Sequence, residues 1–188
     1  MIDFQIWLVA LCARATAVRT LMHAPWVWGG AETIHFIGLS LLFGGIFLFD
    51  LRLLGVGNRI PIAAVHRFIP LGLLGFGLAL ASGVLFVMAE PDQYVYNPAF
   101  HFKILFMVLA GLNAGVFYLT SYRRAVAAGA PIDATRLSKL IAVASLSLWL
   151  GVVVSGRLLT FYRPWPCGAD NPPGVLAWCL PGYDEQGP

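Results

Sequence analysis

Residues 31–49 read AETIHFIGLSLLFGGIFLF. After Glu32 and His35 no charged side chain follows until Asp50. At about 1.5 Å of rise per residue, such a helix crosses a hydrocarbon core of about 30 Å. Three more stretches, 68–89, 99–122 and 137–162, are also long and apolar enough to cross. Hydrophobic residues make up 59% of the chain and charged ones 11%, where a soluble domain carries about a quarter. The chain therefore reads as an all-α integral membrane protein, an up-down four-helix bundle. One membrane domain is expected over residues 1–163, with a Pro/Gly-rich tail over 164–188.

Charge orients the bundle. The connections after the first and third spans hold Arg52, Arg59, Arg67, Arg123, Arg124, Arg136 and Lys139 against Asp50 and Asp133, whereas the other segments are acidic on balance. Basic loops stay on the cytoplasmic side, so both termini are expected outside, in the periplasm of a bacterial inner membrane. The overall charge of +3 is thus a topology signal and does not point to nucleic acid.

Residues 2–22 begin apolar but contain Arg14 and Arg19. Phe4, Trp7, Leu8, Leu11, Ala15, Val18 and Met22 recur at spacings of three and four, one face of an amphipathic helix lying on the outer surface. A fifth span is the alternative. Cleavage as a signal peptide is disfavoured, because no basic segment precedes the apolar run.

Breaks between spans carry turn chemistry. Gly55, Gly57, Asn58 and Pro61 follow the first span; Pro91, Asp92, Asn97 and Pro98 precede the third; Gly129 and Pro131 precede the fourth. Pro98 suits a first helical position, where its missing N–H is not needed. Asp50 and Arg52 at the first exit read as a surface ion pair of little energetic weight, with docking to a cytoplasmic partner second. Cys167 and Cys179, in the outer tail, are candidates for a disulfide under oxidising conditions; Cys12 reads as a packing residue.

Histidines supply the candidate chemistry. His35 and His101 lie near the outer ends of spans one and three, about five residues in from Gly30 and about three from Pro98, a difference of about 3 Å in rise. In an up-down bundle these spans are parallel and diagonal, so inward side chains face one another across the core. Two imidazoles so arranged suit the axial positions of a haem iron. Gly38, one turn from His35 on the same face, leaves room for a flat macrocycle. Arg157 and Lys103 are candidate partners for haem propionates, Lys103 less so because it lies two positions from His101. His66, beside Arg67, reads as solvated at the basic surface, and His23, near Pro25 and Trp26, as structural.

The stretch Glu32-Thr33-Ile34-His35-Phe36-Ile37-Gly38, then Gly44-Gly45 and Asp50-Leu51-Arg52-Leu53-Leu54-Gly55, resembles a family of uncharacterised bacterial inner-membrane proteins with a Glu-x-x-His first span and an Asp-Leu-Arg-Leu-Leu-Gly exit. More loosely, Asn97-Pro98-Ala99-Phe100-His101-Phe102-Lys103 is similar to a span start in copper-resistance inner-membrane proteins and four-helix b-type cytochromes. These resemblances imply haem b, or alternatively copper. Copper handling favours paired methionines, and Met88 and Met107 have no second methionine at i+3 or i+4.

The expected function is an electron-transfer subunit rather than a stand-alone enzyme: a membrane b-type cytochrome with one bis-histidine haem near the periplasmic face. It would work between membrane quinol and a periplasmic redox protein. The alternatives are a copper- or metal-handling protein and a non-catalytic subunit that packs against other membrane subunits.

Overall fold

The computed structural model describes residues 2–122, 135–161, 165–166 and 179–180. The helices, in chain order, are α1 (Ile2–Ala13), α2 (Thr16–Met22), α3 (Val27–Leu54), α4 (Ile62–His66), α5 (Ile69–Ala89), α6 (Pro91–Val95), α7 (Pro98–Thr120) and α8 (Arg136–Leu158). Two parallel two-residue strands, Trp165–Pro166 and Cys179–Leu180, pair with each other. Four helical segments are long and apolar enough to cross a membrane: α3, α4 with α5, α7 and α8. Leu119 is 88% exposed and Phe36 64%; apolar side chains as large as these cover the outside, a surface suited to lipid and not to water.

The helix ends follow local chemistry. Gly55 ends α3 in the left-handed region (φ 105°). Its N–H bonds the Arg52 carbonyl and that of Val56 the Leu51 carbonyl, satisfying acceptors that a helix end otherwise strands. Pro98 opens α7, capped by Asn97, whose Oδ1 accepts from the Ala99 N–H at 2.9 Å. Thr135 caps α8 by accepting from the Ser138 N–H.

Small residues set the closest packing. A Cβ on Gly38 would stand 2.7 Å from the Gly75 carbonyl oxygen, and one on Gly45 would stand 2.8 Å from that of Phe68. Antiparallel α3 and α5 therefore touch backbone to backbone, as small residues permit between membrane helices. Helix α7 packs against α8, with Phe106 lying on Gly151 and the Asn113 amide donating to the Ile141 carbonyl. A third interface joins α3 to α8, whereas neither α5 with α7 nor α3 with α7 has one of comparable extent. Buried clusters close both ends: Met22, Ala31, Phe86 and Ala89 at one, and Phe49, Leu53, Ile62, Val65, Phe117, Ile141 and Ala142 at the other.

The N-terminal segment departs from expectation. A single amphipathic helix was expected over 2–22, but α1 and α2 meet at a bend of 71°. The face they bury carries Cys12 and Met22, while Phe4, Trp7 and Leu11 are exposed. Gln5 ties α1 to α6 by donating to the Val95 carbonyl.

Asp50 and Arg52 do not form a surface pair. They are 5% and 3% exposed, and two positions apart on a helix they point to different sides. Arg52 turns to the loop after α3, donating from Nε to the Ile60 carbonyl and from Nη2 to the Asn58 carbonyl. Charged hydrogen bonds of this kind contribute about 1.5–3 kcal/mol each. Replacing Arg52 with methionine is therefore expected to free the loop around Asn58, read as faster proteolysis at Arg59 in detergent; an unchanged cleavage rate would refute the role.

Candidate functional site

Helix α7 decides what faces the interior. Among its buried or half-buried positions, Ala99, Lys103, Phe106, Ala110, Asn113 and Phe117 follow one another at steps of four and three, the stripe of one helical face. His101 lies two positions from both Ala99 and Lys103, about 200° around the helix, and is exposed. The structure thus does not bring His35 and His101 together. From α7 it turns Lys103 inward: a Cβ on Gly156 of α8 would sit 3.7 Å from the Lys103 Nζ.

His35 is half-buried on the side of α3 that meets α5. Its Nδ1 is 2.9 Å from the Ser82 hydroxyl, and the ring stands edge-on to Phe86 at 5.7 Å. Ser82 Oγ also reaches the Leu78 carbonyl at 2.7 Å and the Ala79 carbonyl at 3.2 Å. With its proton on either carbonyl, Ser82 accepts from His35 Nδ1, the tautomer that leaves the lone pair on Nε2. An imidazole whose second nitrogen is held in this way is oriented as metal-bound histidines are. Gly83 offers no side chain beside the ring, since a Cβ there would lie 3.7 Å from Cε1. Lys103 is near enough to act on His35 electrostatically.

The remaining candidates have other duties. Gly38 leaves no open space for a macrocycle, because α5 backbone fills the place its side chain would take. Arg157 is exposed, its guanidinium 5.2 Å from the centroid of the Phe161 ring. Cys167 and the side chain of Cys179 lie outside the described residues. His66 is partly buried in an aromatic group, with Nε2 3.1 Å from the Tyr118 hydroxyl and its ring near Phe49 and Tyr122. No group of three or more metal-ligating side chains occurs among the described residues.

His23 pins α2 to the end of α5. Nδ1 meets the Arg19 carbonyl and Nε2 a Glu90 carboxylate oxygen, each at 2.8 Å. Both partners accept, so both nitrogens must donate, and these bonds push the imidazole above its usual value, the Arg19 carbonyl foremost. A raised value in the folded state means that this tether is complete below about pH 6.5 and is lost as the pH rises through the folded value. NMR titration of His23 should show a midpoint above that of a free imidazole, and E90Q should lower it; an unmoved midpoint in E90Q would sink the assignment.

For a haem centre the donor set decides. His35 and Lys103 supply one imidazole and one amine from helices that share no extensive interface. The bis-histidine set does not fit. Sequence reasoning missed Ser82, whose single hydroxyl in an apolar helix produces no spacing signal.

No curated protein and no solved structure matches this chain. A family model described as a family of unknown function, DUF6644, matches residues 26–162. That stretch holds all four long helices together with His35, Ser82 and Lys103, and the chain belongs to this family.

Proposed function

We propose that this protein is an up-down four-helix membrane protein that binds one haem b between α3 and α7. His35, through Nε2, and Lys103 are the residues that would hold it. It lies in a bacterial inner membrane with both termini periplasmic, and it carries electrons between membrane quinol and a periplasmic redox partner. The observation that carries the reading is the His35–Ser82–Leu78 chain of hydrogen bonds, which leaves a lone pair on Nε2.

When bound, haem supplies one-electron chemistry. The chain's own residues do the rest. Ser82 holds the imidazole and keeps its tautomer, Phe86 packs against it edge-on, and Lys103 brings an amine donor or, when charged, a counter-charge to the propionates. The protein purified in detergent is expected to show a Soret band that sharpens and shifts with dithionite. Metal without a Soret band would replace this reading with metal handling, and stoichiometric companion chains without a chromophore would replace it with a packing subunit.

A further inference from the structure

A second site lies at the other end of α3. A cavity of about 220 Å³ is walled by residues of α3, α5, α7 and α8. Asp50 lines it, 5% exposed, and carboxyl oxygen Oδ2 has no hydrogen-bond partner. The Ser145 hydroxyl is the side chain that reaches the carboxyl from α8. Among the described residues no lysine, arginine or histidine lines the cavity; Arg52 turns Nε and Nη2 to the Ile60 and Asn58 carbonyls, and its buried Nη1 has no hydrogen-bond partner among the described residues. Aromatic rings wall the same cavity, Phe76, Phe117, Tyr118 and Trp149 among them. Leu73 and Tyr118 are also exposed on the surface, so the cavity opens sideways where α5 and α7 leave a seam.

We propose that this cavity binds a hydrophobic organic cation, an alkyl- or arylammonium that enters from the lipid and sets its charge against Asp50. An ionisable side chain buried among apolar helices is costly to place there and marks a binding or transfer site by default. A neutral ligand would leave the carboxyl without a counter-charge, and an inorganic cation would find too few oxygen donors and apolar walls. An ammonium ion bearing apolar groups meets both demands: the carboxylate balances its charge, and the ring faces attract it further. This site is separate from the one at His35 and does not depend on haem.

The test compares benzyltrimethylammonium with neopentylbenzene, its uncharged carbon isostere, on the full chain in nanodiscs, with empty nanodiscs subtracted. Saturable binding of the ammonium is expected, at least tenfold tighter than that of the isostere. In D50N the two should bind alike. F76L keeps the carboxyl and removes one ring, and it should weaken the ammonium several-fold, which keeps the proposal testable if D50N does not fold. Equal binding of the two probes by the wild type, or an ammonium affinity unchanged in both D50N and F76L, would overturn it. The Soret band serves as an independent readout, expected to be the same in D50N and wild type.

Discussion

His35→Ala is expected to abolish the reduced-minus-oxidised haem bands of the purified protein, while His101→Ala leaves them in place. The asymmetry follows from the register of α7. His101 is exposed on the face opposite the stripe Ala99, Lys103, Phe106 and Ala110, so removing its imidazole takes nothing from the interior. His35 has its Nδ1 committed to Ser82 and its Nε2 available. Lys103→Leu should keep the chromophore but alter the ferric spectrum. Ser82→Ala frees the ring and should weaken haem retention by roughly tenfold, the usual cost of losing the group that orients a ligating histidine. Loss of the bands in His101→Ala, or their survival in His35→Ala, would refute this arrangement.

Gly75→Ala should be far more damaging than the same change two residues on. A Cβ at Gly75 would lie 2.5 Å from the Gly38 carbonyl oxygen and 2.6 Å from the Leu42 nitrogen. Both are backbone atoms of α3, which cannot swing aside as a side-chain tip can. Overpacking costs about 1–3 kcal/mol where side chains yield, and more than about 3 kcal/mol is expected where the helices must separate. Gly77 meets nothing within 4 Å, so Gly77→Ala should be neutral or slightly stabilising through helix propensity. Unfolding midpoints in mixed detergent micelles measure both; similar midpoints would mean that α3 and α5 are not held by this contact.

Much of the fold was legible. Long uninterrupted apolar runs report membrane-spanning length directly, and Gly55, Asn97 and Pro98 signal their ends through backbone chemistry that tertiary context rarely overrides. Rotation of a helix about its own axis was not legible. In water the polar face shows which way a helix turns, but in a membrane helix both the lipid side and the packed side are apolar. His101 was therefore expected to face the interior and is exposed, whereas Lys103 turns inward. The segment 2–22 misled for a related reason, since a regular spacing of apolar residues continues across Arg14 and Ala15, where the helix bends. Asp50 was read as a helix-exit residue because Arg52 follows it closely in the chain. It is buried beside a cavity whose walls include Ser145, Phe117 and Trp149, far away in sequence.

The α3–α5 contact joins neighbours in the chain, and so does the α7–α8 contact; the interface that unites the two pairs is α3 with α8. During synthesis the first hairpin can reach its final packing once Ala89 has left the ribosome, before the second hairpin has emerged from it. Assembly then becomes the docking of two finished halves in the bilayer, an order that spares the growing chain a long wait with its glycine-lined surfaces unpaired.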